Sequence, residues 1–257
     1  MEDRSKVEDV MNCGELVFSD STQLYFRYFA DGSITHPAKA NIEFLHWLIR
    51  KYTAEGDVIL DPFAGVGSTG FVAGLLKRKS VLVEIEPRYV KLISETFRKT
   101  PFHPKVILQG DSRNLRKGLK KIGLLPTINA VVTSPPYADM LKSVEMRDGG
   151  YSYQEGQLGR LALPKHLAEV EKVYRECYAI LEKGQKMVLL VRNYIRKGSV
   201  VDYVYETFKV CQQVGFKLVD AVKLRLPKIR SELTDYYDKH PLTDQVLHEY
   251  ALVFERV

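Results

Sequence analysis

Val58-Ile59-Leu60-Asp61-Pro62-Phe63-Ala64-Gly65-Val66-Gly67-Ser68-Thr69 joins an apolar run to two closely spaced glycines. A short apolar run, Val58 to Leu60, has the character of a buried strand. It leads into a glycine-rich turn and then a helical segment from Ser68 to Arg78. Glycines at a strand-to-helix junction let a ligand approach the backbone closely, and the helix beyond presents unpaired N–H groups. The spacing differs from the dinucleotide fingerprint, and no Gly-Lys-Ser/Thr follows, so this is not a phosphate-binding P-loop. Without a phosphate-binding lysine, a nucleoside triphosphate is not the expected ligand.

Downstream the pattern repeats. Ser80 to Ile85 reads as a strand ending at Glu84, and Pro87 to Arg98 as a helix with proline in its first turn. Val106 to Leu108 is strand-like and stops at Gly110-Asp111. A carboxylate at Glu84 can accept both ribose hydroxyls of a nucleoside, and Asp111 can accept from an adenine amino group. Asp61, Glu84 and Asp111 would together line the carboxyl edge of a sheet. That set suits a cationic amino-acid nucleoside better than a phosphate-bearing one. A fourth strand, Asn129 to Thr133, runs into Ser134-Pro135-Pro136-Tyr137. The two prolines fix the backbone and remove two donors, leaving carbonyls free to face a ligand. A serine hydroxyl, a fixed carbonyl and the flat face of Tyr137 can grip a planar base by its amino group.

Outward from this centre, Lys39 to Tyr52, Pro164 to Glu182 and Val200 to Val214 have helical periodicity. Met187 to Val191 reads as a buried strand, and Phe216 to Leu226 and Glu249 to Phe254 as a closing pair. Leu16 to Phe29 reads as strand or extended chain. This alternation predicts an α/β fold with a mostly parallel sheet and helices on both faces. We expect one domain over residues 1–257, with residues 1–30 as an N-terminal arm. Segments 138–163 and 227–245 are the candidates for substrate recognition, since loops that long inside a compact domain are usually functional.

Composition narrows the classes. The chain has 257 residues, with Lys+Arg 38 against Asp+Glu 32 and a net charge of +6. That length suits one large α/β domain, and the basic excess suits a polyanionic partner. No apolar run approaches the ~18 residues of a membrane helix, and the polar start Met1-Glu2-Asp3-Arg4 predicts no signal peptide. Cys13, Cys177 and Cys211 are far apart and fit neither a disulfide framework nor a metal knuckle, so a cytoplasmic protein is expected. The histidines lack ligand spacing, so no metal is expected. Arg113, Arg116, Lys117, Lys120 and Lys121 make one basic cluster. A second cluster, Lys223, Arg225, Lys228 and Arg230, flanks the Ser134 segment in chain order, as do Tyr151, Tyr153 and Arg160. The second group is the expected nucleic-acid surface.

The pairing of Asp61 to Thr69 with Thr133 to Tyr137 resembles the amino-group methyltransferases of nucleic acid, the N4-cytosine and N6-adenine enzymes. His36-Pro37-Ala38-Lys39 is similar to their motif ahead of the cofactor loop, and His248 to Phe254 resembles their last strand. The resemblance implies a Rossmann-like class I methyltransferase fold with a mostly parallel seven-stranded sheet, and S-adenosylmethionine as cofactor. It implies that Asp61, Gly65 and Gly67 hold the methionine end, Phe63 the adenine side, Glu84 the ribose, and Asp111 with Ser112 the adenine. His36 and Thr69 fall on the cofactor side as well. Ser134, Pro135, Pro136 and Tyr137 would hold the target base.

Members with Ser-Pro-Pro-Tyr are mostly cytosine-N4 enzymes, so methylation of cytosine N4 in DNA is the expected activity. Alternatives are N4-cytidine methylation of structured RNA such as ribosomal RNA, adenine-N6 or guanine-N2 methylation, and a non-catalytic binding subunit. In many relatives the Pro-Pro-Tyr motif precedes the cofactor loop; here it follows, as in a circularly permuted subclass. Residue 40 is Ala where a proline is frequent. Restriction-type relatives usually carry a sizeable recognition region, whereas only two short segments could serve here. RNA enzymes can instead read shape and unpaired bases. A C5-cytosine enzyme would need a nucleophilic cysteine after a proline, and no cysteine here follows one.

Overall fold

The computed structural model describes residues 14–36, 39–123, 125, 128–139, 156–225 and 246–257. In chain order they form β1 Glu15–Val17, α1 Thr22–Tyr28, α2 Ile42–Tyr52, β2 Val58–Asp61, α3 Ser68–Leu75, β3 Lys79–Glu84, α4 Pro87–Arg98 and β4 Val106–Gln109. There follow α5 Leu115–Lys121, β5 Ala130–Thr133, α6 Leu163–Ile180, β6 Lys186–Val191, β7 Tyr194–Arg196, β8 Ser199–Val201, α7 Tyr203–Val214, β9 Phe216–Arg225 and β10 His248–Arg256.

The main sheet has the order β1-β9-β10-β6-β5-β2-β3-β4. Strands β2 to β6 pair in parallel, and only β10 runs against its neighbours β6 and β9. From β2 the chain winds outward through β3 to β4. It then returns to β5, beside β2, and winds the other way. Such a reversal leaves a crevice at the carboxyl ends of the two central strands, where α/β folds place their ligands.

The central strands are apolar on both faces because both faces are covered. Ile59, Leu82, Val132 and Leu190 pack with α2, α3 and α4 on one side. Leu60, Val81, Val131 and Leu189 pack with α6 and α7 on the other. Helix α2 starts where the Asn41 side chain accepts a hydrogen bond from the Phe44 N–H at 3.0 Å, and it buries Ile42, Leu45, Leu48 and Ile49. Helix α3 lies so close to its surroundings that glycine is required. A Cβ at Gly74 would stand 2.0 Å from the Phe102 ring. Gly74→Ala is therefore expected to cost about 1–3 kcal/mol through overpacking. Urea unfolding reads this as a lowered midpoint; an unchanged midpoint would show that Phe102 swings away freely.

Four details depart from the expectations. The sheet has eight strands rather than seven, because Glu15–Val17 adds in parallel to β9, with Glu15 opposite Lys223. Leu16 to Phe29 is not extended throughout. Thr22–Tyr28 is helical and, with Phe29, turns Tyr25 into the core, four residues apart on one face. The segment read as an arm thus packs against the domain from β1 onward. Helix α3 ends at Leu75, and Lys77 takes φ 59° in the turn beyond it. The helix expected from Val200 starts at Tyr203. The preceding residues form the β7–β8 hairpin, whose Lys197-Gly198 turn has positive φ at both positions. Among the described residues no helix is long and apolar enough to cross a membrane.

Candidate active site

The carboxyl edge at the β2–β5 reversal forms a cleft whose lining includes Asp61, Phe63, Gly65, Glu84, Asp111 and Ser134. Asp61 closes β2, and only 3% of its surface is exposed. Its Oδ1 accepts from the Phe63 N–H at 3.0 Å and from the Thr133 hydroxyl at 2.6 Å, and the Thr69 hydroxyl donates to the same carboxylate. Burial raises its pKa, and these donors restrain the rise.

Glu84 ends β3 and braces the glycine turn. Its Oε2 accepts from the Gly65 N–H at 2.8 Å and its Oε1 from the Glu86 N–H at 2.9 Å. Burial pushes Glu84 up to about 7, against the pull of those two N–H groups, and the nearby Glu86 and Asp61 charges push the same way as burial. Gly65 and Gly67 have φ of 53° and 88°, in the left-handed region that favours glycine. His36 lies over the turn, since a Cβ at Gly65 would meet its Nε2 at 3.1 Å. The His36 ring sits edge-on to Tyr89 at 4.6 Å.

The third acidic position is engaged differently. Asp111 accepts from the Arg113 backbone N–H at 2.9 Å and from its guanidinium at 2.6 Å. Arg113 also reaches Glu169 on α6. Burial raises the Asp111 carboxyl, but the Arg113 hydrogen bonds and charge outweigh it and hold it below the usual range. Asp111 thus arrives at the cleft already paired. Ser112 donates its hydroxyl proton to the Pro62 carbonyl at 2.6 Å, tying the β4 end to the β2 loop.

Ser134 donates to the Leu190 carbonyl at 3.3 Å, and Ser134, Pro135 and Pro136 all line the cleft. Tyr137 is 7% exposed. Its ring packs edge-on against Tyr194 at 5.7 Å and Tyr203 at 5.2 Å, with the Arg192 guanidinium 5.9 Å from its centroid. Burial raises its phenol well above the ordinary value. The Tyr203 hydroxyl lies 2.8 Å from His166 Nε2 and 3.3 Å from the Pro136 carbonyl.

The cleft therefore gathers His36, Asp61, Phe63, Gly65, Thr69, Glu84, Asp111, Ser112, Ser134, Pro135 and Pro136, while Gly67 shapes the turn behind it. Lys223 and Arg225 sit at the end of β9, on the same sheet edge, with Arg225 Nη1 3.7 Å from Glu15. Arg160 lies in a short 3-10 turn, Leu158–Arg160. Tyr151, Tyr153, Lys228 and Arg230 lie outside the described residues, as do most of segments 138–163 and 227–245. The first basic cluster is partly spent in structure: Arg116, Lys117, Lys120 and Lys121 fall on α5, where Arg116 pairs with Glu176 at 2.8 Å, and Arg113 in the turn before it pairs with Asp111 and Glu169. Among the described residues there is no cluster of three or more side chains suited to a metal ion.

Several neighbours of the cleft were not individually marked by the sequence. Glu86 is buried beside Pro87 and pairs with the amide of Gln157. Gly156, Gln157 and Leu158, from the segment expected to serve substrate recognition, line the cleft instead. His166 and Tyr203 support the Pro-Pro segment from α6 and α7. Each of these is set by tertiary approach rather than local pattern.

Comparison with known proteins follows the same lines. Residues 12–95 match the family described as DNA methylase. The type II methyltransferase M2.DpnII of Streptococcus pneumoniae is 42% identical over 57 residues, 22% of this chain and 21% of that protein. The tRNA (guanine(10)-N2)-dimethyltransferase of Methanothermobacter thermautotrophicus is 29% identical over 138 residues, 50% of this chain and 39% of that protein. The chain thus spans well under half the length of these curated relatives. Among solved structures, TrmN of Thermus thermophilus superposes with a TM-score of 0.56 at 15% identity, over 86% of this chain and 50% of that one. The precorrin-6y C5,15-methyltransferase of Geobacter metallireducens gives 0.53 at 14% identity, over 88% and 93%. The fold is that of the class I methyltransferases, and the sequence matches support a nucleic-acid amino-methyltransferase family.

Proposed function

We propose that this chain, a class I methyltransferase fold with a DNA methylase signature over residues 12–95, methylates an exocyclic amino group of a nucleic-acid base. Cytosine N4 in DNA is the first choice of substrate. One observation carries the reading: the Asp61 and Glu84 carboxylates and the Ser134-Pro135-Pro136 segment line a single cleft at the β2–β5 reversal.

S-adenosylmethionine fits the residues present. The cleft lining contains Asp61, Glu84 and Asp111 and no lysine or arginine among the described residues, a donor set for a cationic ligand without phosphate. Asp61 and the turn at Gly65 would hold the amino-acid end, and Glu84 the ribose. When bound, the cofactor supplies an electrophilic methyl group.

The chain's own residues prepare the acceptor. An exocyclic amino group is a poor nucleophile, because its lone pair is delocalised into the ring. Ser134 gives its own proton to Leu190, so its oxygen lone pairs remain free to accept from an amino hydrogen. Pro135 cannot donate, and its carbonyl offers the second acceptor. Two fixed acceptors draw the amino hydrogens and stabilise the positive charge that develops on nitrogen. Positioning supplies much of the remaining rate. In a duplex the base must first leave the stack, at a cost of a few kcal/mol. Lys223 and Arg225, on the same sheet edge, would supply charge for the phosphate backbone.

A second reading, methylation of RNA, draws support from the longer match to the tRNA guanine-N2 enzyme. The test is transfer of labelled methyl from cofactor to genomic DNA and, separately, to total RNA, followed by nucleoside analysis. N4-methylcytosine in DNA is the expected product. Label in RNA alone would replace the DNA reading, and label in neither would overturn the enzymatic one.

Glu84 gives the site a pH signature. Its carboxyl sits at about 7 in the unliganded protein, and ribose hydroxyls donate best to the ionised form. Binding then releases a proton below that value. Affinity for S-adenosylhomocysteine is expected to rise up to about tenfold per pH unit below 7 and to level off above it. Stability runs the opposite way. The folded pKa lies above the free value of 4.5, so this group's contribution to stability is full below 4.5 and is lost as pH rises through 7. Calorimetric titration across this range, repeated with Glu84→Gln, checks it; an affinity in the wild type that does not change with pH would contradict it.

A further inference from the structure

We propose that Gly156 and Gln157 are cofactor-site residues: the Gly156 backbone walls the purine end of the cleft, and Gln157 is a positioning residue that fixes this wall through Glu86. The proposal rests on the methyltransferase reading above.

The placement of Gly156 comes first. Its φ is 104°, in the left-handed region. A Cβ added there would stand 2.8 Å from Ile85 Cδ1, 3.2 Å from Arg113 Nη2 and 3.4 Å from Asp111 Oδ2. The bare backbone of residue 156 is therefore pressed against the side chains that follow Glu84 and close β4. A nucleoside whose ribose rests on Glu84 has its base on this side. Any side chain at 156 would enter the space between Ile85 and Asp111.

Gln157 explains how the wall is held. It is buried, and its amide nitrogen donates to the buried Glu86 carboxylate. The Glu86 N–H in turn donates to Glu84 Oε1, whose other oxygen accepts from Gly65. One run of hydrogen bonds thus joins Gln157, Glu86, Glu84 and the glycine turn. Leu158 pins the other side. Its carbonyl lies 3.0 Å from Nδ1 of His166, a fully buried ring whose Nε2 faces the Tyr203 hydroxyl. A neutral imidazole donates from Nδ1 to that carbonyl and accepts from the tyrosine. The wall is anchored on both flanks by buried polar groups, and such pre-organisation raises affinity by removing an ordering cost.

Three variants test this by titration calorimetry with S-adenosylhomocysteine and, separately, with adenosine. Gln157→Ala is expected to weaken both ligands about tenfold, beyond what the lowered urea midpoint from a Glu86 carboxylate deprived of this donor accounts for. Gln157→Glu sets a carboxylate against Glu86 and should weaken both further at pH 8, with partial recovery at pH 6, each measured relative to wild type at the same pH. Gly156→Ala should weaken adenosine at least as much as S-adenosylhomocysteine, because the purine end is obstructed. Wild-type binding of S-adenosylhomocysteine with Gln157 variants that bind as tightly would overturn this inference alone. A loss that tracks a lowered urea midpoint in every variant, with no recovery of Gln157→Glu at pH 6, would reduce Gln157 to a structural role and overturn it as well. Absence of wild-type binding would overturn the methyltransferase reading and this inference with it.

Discussion

Asp61→Ala is expected to weaken S-adenosylmethionine binding by about 100-fold or more while the protein stays folded. The carboxylate is nearly fully buried at the end of β2, in a cleft whose described lining holds no lysine or arginine. Its charge lacks a cation until a ligand brings one. A charged hydrogen bond contributes about 1.5–3 kcal/mol, and breaking a buried ion pair costs about 3–5 kcal/mol. Each 1.4 kcal/mol is about tenfold in affinity. Removing Asp61 leaves the Thr133 hydroxyl without its acceptor at 2.6 Å, a cost of about 1–3 kcal/mol that the fold can absorb. Calorimetry beside a circular-dichroism melt separates the two effects. A folded variant whose Kd stays within threefold of wild type would remove Asp61 from the site.

Leu252→Ala should have the largest effect on stability. Leu252 is fully buried in β10, the strand that runs antiparallel between β6 and β9, opposite Leu189 on one side and Ala221 on the other. Its side chain belongs to the core beneath α6 and α7. Truncation leaves a cavity where the sheet changes direction and costs about 2–5 kcal/mol. Denaturant unfolding measures it. A loss below about 1 kcal/mol would mean that the neighbouring side chains collapse into the space.

The pattern of strands and helices was legible because both faces of the sheet are covered, which makes runs such as Val58-Ile59-Leu60 and Met187 to Val191 continuously apolar. The three acidic strand ends were legible for the same reason, since a polar residue closing such a run must sit at the sheet's edge. What they do there was not. Glu84 spends two acceptor positions on backbone N–H groups, and Asp111 is already paired with Arg113. The Gly65 contact of Glu84 depends on chain segments brought together by folding, whereas Arg113 stands only two residues from Asp111 and pairs with it locally. The β1 strand and the β7–β8 hairpin are three residues per strand, too short for alternation to show.

Tyr137 shows a different limit. The sequence marks it as a flat face beside the prolines, yet the ring lies in the core between Tyr194 and Tyr203. Truncation to alanine would therefore disturb packing as well as any contact with a base, at a cost of about 3–5 kcal/mol for a buried aromatic. Tyr137→Phe is the variant that keeps the packing. Gly156 and Gln157 fall in segment 138–163, marked for substrate recognition, but nothing near them in sequence announces the Glu86 and Ile85 they meet.

A crystal structure of the protein with S-adenosylhomocysteine bound tests the cofactor site most directly. One ligand is expected in the β2–β5 cleft. Its amino-acid end should lie at Asp61 and Gly65, its ribose at Glu84, its adenine between Ile85 and Asp111, and its sulfur turned toward Ser134 and Pro135. A ligand bound elsewhere, or bound here with its sulfur turned away from Ser134, would contradict it.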